Sequence, residues 1–225
     1  MADPEKRVAS RRGPRRSPSP QQRQRDPERT KERILDAAVE VFSAKGYAGA
    51  RVAEIADRAG VNKQLISYYF GGKQGLYKEI GRRWRTHEQE AYPADLPLAE
   101  ETRLRVLDTA DGNYGSKLLA WQGLTDTGTD DPDADERTER LQEEITALQR
   151  RQDTGEIDPD LDPAALLLIT MGAANALTVY PHIARGIFQT TNAHNPDLVH
   201  HYANQLAQVL TKLRTHARPT ESPQA

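Results

Sequence analysis

The chain has 225 residues, of which 36% are hydrophobic and 28% charged, with a formal net charge of −2. That length allows one large domain or two small ones, with a substantial core. The absence of cysteine excludes disulfides, thiolate metal sites and a cysteine nucleophile. The charge is unevenly placed: residues 1–25 carry eight Lys/Arg against Asp3 and Glu5, whereas residues 126–144 carry nine acids against Arg137 and Arg140. One end therefore attracts phosphate and a distant stretch repels it.

In chain order, residues 1–25 are rich in Arg, Pro, Ser and Gln with almost no apolar side chains. They read as a disordered basic tail, because they bury too little surface to offset ordering entropy. Residues 217–225 read the same way. No signal-peptide run opens the chain. The apolar stretch Leu161–Tyr180 contains Asp162, Thr170, Asn175 and Thr178 and reads as a buried helix, not a membrane span. No segment alternates with period 2, so an all-α fold is expected.

The first helix is expected to start near Asp26-Pro27, an N-cap followed by proline at the first helical position. It presents Ile34, Leu35, Ala38, Val41 and Phe42 on one face and stops at Gly46, read as a left-handed residue past the helix end. A short helix, Val52–Ala59, carries Val52, Ile55, Ala56 and Ala59 on one side and ends at Gly60. Asn62 caps a third, which runs through Phe70 with Val61, Ile66 and Tyr69 or Phe70 inward. A fourth begins near Lys73 with Leu76, Ile80 and Trp84. Pro93 and Pro97 break the chain. Further helices are expected near 98–110, 113–124, 134–152, 162–180 and 196–215, with an acidic loop at Asp126–Asp133. The implied division is a domain over 26–76 and a second over 77–216.

Two short helices joined by Ala59-Gly60-Val61-Asn62 suit a helix-turn-helix. Gly60 tolerates the positive φ of a tight turn, and small Ala56 lets the helices approach. The second helix can then project polar side chains into a major groove ~12 Å wide. On pattern alone, a helical hairpin inside an all-α enzyme stays open.

The run Ile34–Ile80 also carries Ala37-Ala38, Phe42, Gly46-Tyr47, Val52 with Ile55-Ala56, Ala59-Gly60-Val61, Tyr68 with Phe70, and Lys73 with Leu76, in that order. In these landmarks it resembles the DNA-binding domain of the TetR (tetracycline-repressor) family. The resemblance implies that Lys63–Phe70 is the recognition helix, with Lys63, Gln64, Leu65, Ser67 and Tyr68 facing DNA and Tyr69 at its end. Lys73 matches the family's phosphate-binding lysine, at a helix N-terminus whose dipole favours anions. Chemically, Gln64 offers a paired donor and acceptor to adenine, Lys63 a donor to guanine or phosphate, and Leu65 an apolar contact to a thymine methyl. Two departures stand out. Ala50-Arg51 replaces the Thr or Ser that often caps the second helix, leaving Arg51 to reach phosphate by charge. Leu65 and Ser67 replace the commoner Thr and Tyr. Arg11–Arg16 reads either as a flexible DNA-binding arm or as a solubilising extension.

Near the C-terminus, Val199, Tyr202, Leu206, Val209 and Leu213 recur in steps of 3 and 4, a narrow seam for helix packing. Ala164–Val179 is apolar nearly all round, and Gly172, Ala173 and Ala176 allow close approach. The resemblance implies a homodimer in which these helices form a four-helix bundle, with Leu166, Ala173, Leu177, Tyr202, Leu206, Val209 and Leu213 at the interface. A purely intramolecular core is the alternative. A two-fold dimer would read double-stranded operator DNA as a palindrome. The resemblance also implies a small-molecule effector pocket, for which Tyr114, Leu118, Trp121, Met171, Asn175 and Tyr180 are candidates. Aromatics with a few polar groups suit a mostly apolar ligand; the same residues also suit plain core. The function implied is a cytoplasmic transcriptional regulator, most simply a repressor, with no membrane partner.

Competing chemistries are thinner. His182, His194, His200 and His201 cluster near Asp197, and Asp197 and His201 share a helix face, but this spacing is no known zinc or nickel signature. Neither a phosphate-binding glycine loop nor a GxSxG nucleophile motif occurs. No catalytic residue, resident metal or cofactor is expected. A sequence-independent DNA binder working through the basic tail is the remaining class.

Overall fold

The computed structural model describes residues 20–93, 95–110, 115–125 and 134–213. The two chain ends, including Arg11–Arg16, lie outside the described residues, as do Tyr114 and the Asp126–Asp133 loop. The described residues form helices α1 (Pro20–Gly49), α2 (Val52–Ala59), α3 (Lys63–Phe70), α4 (Lys73–Ala91), α5 (Leu98–Ala110), α6 (Gly115–Thr125), α7 (Ala134–Asp153), α8 (Pro163–Val179), α9 (Pro181–Phe188) and α10 (Pro196–Thr211). The fold is all-α, with no strand among the described residues.

Helix α1 starts at Pro20, earlier than the expected Asp26-Pro27 boundary. Gln and Arg over residues 21–25 are good helix formers, and Pro27 removes one backbone donor without ending the helix. Gly46, at φ 67° and ψ 175°, breaks the helical backbone where expected, and one short turn follows it to Gly49. The reason is a neighbour invisible in local sequence. A Cβ at Gly46 would sit 2.9 Å from Cε3 of Trp121, and the Trp121 Nε1–H donates to the carbonyl of Ser43 at 3.1 Å. Trp121 thereby clamps α6 onto α1.

The α2–α3 turn forms as its residues dictate. Gly60 is left-handed (φ 63°, ψ 42°). Its N–H bonds the Asp57 carbonyl at 3.1 Å, and that of Val61 bonds the Ala56 carbonyl at 3.0 Å, which satisfies carbonyls the helix end leaves open. The Asn62 side chain accepts from the Gln64 N–H at 2.9 Å. Ile55, Ala56, Ala59 and Ile66 are buried in one cluster with Ile34, Ala38, Val41 and Phe42 of α1 and Leu76 and Ile80 of α4. The two eight-residue helices α2 and α3 thus share a single apolar centre with α1 and α4, which stabilises helices too short to stand alone.

The remaining helices close around two further clusters. Val106 of α5 meets Ala174, Leu177, Val199 and Ala203; Leu98, Leu148, Ile157, Leu166 and Leu210 form the other. Arg151 of α7 braces the entry to α5, donating to Glu101 at 2.7 Å and to the Leu96 carbonyl at 2.7 Å. Helix α9 falls between the helices expected near 162–180 and 196–215, where none was expected; Pro181 occupies its first turn, where proline is favoured.

The residues expected at the dimer interface differ in how much of each the protomer leaves exposed. Leu166 and Leu177 are buried inside the protomer. Leu206 and Leu213 pack on the same inner clusters, and the Tyr202 hydroxyl donates to the Ala173 carbonyl at 2.8 Å. The apolar row of α10 is filled by α5 and α8 of its own chain, because a 3–4 repeat records a packing seam without saying whose helix fills it. Of the expected set, Val209 is the one exposed, at 56%. Among the described residues no single helix is long and apolar enough to cross a bilayer; α8 and α9 together approach that composition but turn by 81°.

Candidate nucleic-acid interface and ligand chambers

Helix α3 divides cleanly. Lys63, Gln64, Ser67 and Tyr68 are exposed at positions that share one helical face. Tyr68 is 79% exposed, an unusual state for a large aromatic side chain that packs on no core. Leu65 and Tyr69, expected to face DNA, are half-buried against the α1–α4 cluster. The Tyr69 ring lies 5.1 Å from that of Tyr68, edge to face, and 5.7 Å from Lys31 Nζ. Ion and ring together fix the foot of the exposed face.

Lys73 opens α4. Its Nζ stands 4.5 Å from the centre of the Tyr47 ring and donates to the Ala48 carbonyl at 3.4 Å. The charge is thus held on a defined perch beside the positive end of a helix dipole. Arg51 is exposed at the N-cap of α2 and its side chain makes no cap bond, an omission worth ~1 kcal/mol relative to Ser or Thr. Lys45 and Glu54, paired at 2.7 Å, partly replace it by tying the first turn of α2 to α1.

One positioning residue is not visible in the sequence. Arg33 of α1 donates to the carbonyls of Ala59 and, at 3.1 Å, Gly60. A guanidinium at a helix C-terminus answers both the orphan carbonyls and the negative dipole end. It sets the angle between α1 and the turn. No local motif could reveal it, since its acceptors lie 26 and 27 residues away.

Two cavities lie beyond the interface. The larger, about 620 Å³, opens between α1, α4, α5, α6 and α7; the smaller, about 120 Å³, lies among α4, α5, α6, α7 and α8. Trp84, Asp108, Leu119 and Arg140 line both and form their common wall. Of the expected pocket residues, Leu118 lines the larger, and Met171 and Asn175 line the smaller. Trp121 lines neither, being engaged with Ser43 and Gly46, and Tyr180 stands exposed at the end of α8.

The sequence reading missed the charged lining. Arg105 pairs with Glu88 and with Glu101 at 3.1 Å, and its guanidinium lies 4.6 Å from the Tyr92 ring. The Tyr92 hydroxyl donates to Asp108 at 2.9 Å, and His87 Nε2 lies 3.2 Å from the same carboxylate. Burial pushes the Glu88 carboxyl above its ordinary range, with Arg105 opposing. The Tyr92 hydroxyl is pushed well above the phenol range by burial and by Asp108. The Trp84 Nε1–H is buried without a hydrogen-bond partner, a state that costs ~1–3 kcal/mol. Among the described residues no group of three or more His, Asp or Glu could hold a metal ion.

A tight turn between two helices packed on one apolar centre, projecting a polar helix face and joined through α4 to a helical domain with chambers, defines a helix-turn-helix regulator. Residues 34–80 match the family described as bacterial regulatory proteins, tetR family, and residues 82–208 match the tetracyclin repressor-like C-terminal domain. The chain is 33% identical over 162 residues to the HTH-type transcriptional repressor SCO4008 of Streptomyces coelicolor, covering 72% of this chain and 84% of that one. It is 40% identical over 102 residues to the regulator RutR of Escherichia coli, covering 42% of this chain and 48% of RutR. Among solved structures it is similar to the transcriptional regulator SCO4942 of Streptomyces coelicolor, at 25% identity and a TM-score of 0.66, covering 84% of this chain and 99% of that one. Its fold also resembles FadR of Bacillus subtilis in complex with stearoyl-CoA, at 21% identity and a TM-score of 0.54, covering 80% and 97%. The chain belongs to the TetR family of transcriptional regulators, and is a regulator rather than an enzyme.

Proposed function

We propose that the protein is a repressor that binds a palindromic operator as a homodimer in the cytoplasm and releases it when a small molecule enters the C-terminal domain. The observation that carries the DNA-binding part is the face of Lys63, Gln64, Ser67 and Tyr68, left in water while the opposite face of α3 is packed. Lys73 and Arg51 flank it as phosphate partners. FadR, similar in fold, was solved with stearoyl-CoA bound, which supports a ligand-responsive reading. Helix α4 is the lever: it carries Lys73 and the buried Leu76 in the DNA-binding half, and Trp84 and Glu88 on the chamber walls. A ligand acts only by binding the DNA-competent and released states unequally.

The contacts sort into two kinds, and titration of an operator duplex separates them. Gln64→Ala should relax discrimination at one base pair in each half-site by ~1–3 kcal/mol, as loss of a bidentate base contact does. Tyr68→Ala should weaken matched and mismatched sequences alike, as loss of a phosphate contact does. Variants that leave both affinities untouched would show that this face of α3 does not meet DNA.

A further inference from the structure

The larger cavity has a composition that points to its occupant. Its volume of about 620 Å³ falls within the ~300–1,000 Å³ range of small-molecule sites, whereas the inner chamber of about 120 Å³ lies well below it. Its walls combine Leu35 and Val39 of α1 with Tyr77 and Ile80 of α4 and Leu118 of α6. One wall therefore belongs to the DNA-binding domain itself. Five Lys/Arg line it against three Asp/Glu, so its field favours an anion.

Most of those charges are already engaged. Arg85 pairs with Glu136 at 3.1 Å and Arg83 with Glu79 at 3.3 Å. Asp108 accepts from Tyr92 and faces His87; Asp36 is exposed on α1. The Trp84 Nε1–H is closed off from the cavity, pressed against Gly115. Arg140, half-buried at the common wall, makes no ion pair or hydrogen bond among the described residues, and its charge reaches Glu88 only at a distance. A guanidinium without a direct partner beside an apolar cavity calls for a ligand with an oxygen anion at one end.

We propose that this junction cavity binds an amphipathic acid, its apolar body against Leu35, Val39, Tyr77 and Leu118 and its anionic group on Arg140. The ligand touches α1 directly and so bears on the Trp121–Ser43 clamp between the domains, without first filling the inner chamber. The binding claim stands apart from operator release; only the regulatory consequence rests on the repressor reading.

The test uses two fluorescent probes with nearly the same aromatic body, 1-anilinonaphthalene-8-sulfonate and the uncharged N-phenyl-1-naphthylamine, on the full chain without DNA. The sulfonate should bind saturably, with energy transfer from Trp84 and Trp121, the two tryptophans of the chain. Arg140→Gln should weaken the sulfonate about tenfold, as loss of one charge-assisted bond does, and leave the neutral probe unchanged. Val39→Trp should exclude both probes, and Met171→Trp, aimed at the inner chamber, neither. Equal effects of Arg140→Gln on the two probes, or loss of the sulfonate in Met171→Trp with Arg140→Gln silent, would overturn the assignment. Saturable binding that fails to release operator DNA supports the site and counts against the ligand-responsive reading instead.

Discussion

Replacing Leu168 and Ile169 together with glutamate is expected to yield a monomer and to lower operator affinity by a factor of ~10²–10⁴. The two side chains are 73% and 63% exposed on α8, in a stripe with Ala165, Gly172 and Val179 at helical spacing, all exposed. On α9, Ile183 and Ile187 are also exposed, as is Val209 of α10. Each large aliphatic side chain buried from water contributes ~1.5–3 kcal/mol, so apolar surface of this kind favours a partner. A second copy of the chain fits the proposal best, because the operator is then read by two linked heads. Linkage makes the second binding event intramolecular, and losing it forfeits the avidity factor of ~10²–10⁴. Sedimentation of the variant against the wild type, followed by operator titration, decides the matter. A variant that stays dimeric would move the seam away from α8.

A second large effect is expected from Gly75→Ala. A Cβ at this position would lie 1.7 Å from the carbonyl oxygen of Phe70. The obstacle is backbone at the C-terminus of α3, which no rotamer change can relieve, so the α3–α4 junction must open. The stability cost should reach or exceed the ~1–3 kcal/mol usual for overpacking. Because Lys73 and the recognition helix hang on that junction, operator binding should fall at least about a hundredfold. The clusters of the C-terminal domain contain no residue of α3 or the first turn of α4, so association between copies of the chain should survive. Operator titration alongside sedimentation checks both halves. Wild-type DNA affinity in Gly75→Ala would show that the junction is looser than its geometry implies.

What could be read from the sequence was local. The turn at Gly60, the cap at Asn62 and the inward row of Ile55, Ala56 and Ile66 follow from residues a few positions apart, and the structure contains each of them. The exposed polar side of α3 follows from the same periodicity. What escaped depends on distant partners. Arg33 caps a helix that begins nineteen residues further on in the chain. Gly46 is glycine because Trp121 presses on it, and Trp121 is consumed by that contact instead of lining a chamber. Leu65, an apolar side chain expected to contact DNA, is half-buried against the cluster of the DNA-binding domain. The row on α10 was read correctly as a seam, but α5 fills it. Each chamber's walls combine residues from five helices, and nothing in local spacing announces that Trp84 and Arg140 meet at one partition.

The most direct measurement is selection of bound duplexes from random-sequence DNA by the full-length protein at one fixed salt concentration, with affinities then measured for the selected and scrambled sequences. The expected product is a palindrome whose half-sites lie about one helical turn apart, ~34–36 Å or a multiple, bound ~10³-fold or more tightly than scrambled DNA. Affinity that does not depend on sequence, or a selected site with no two-fold symmetry, would contradict a paired reading by two copies of α3.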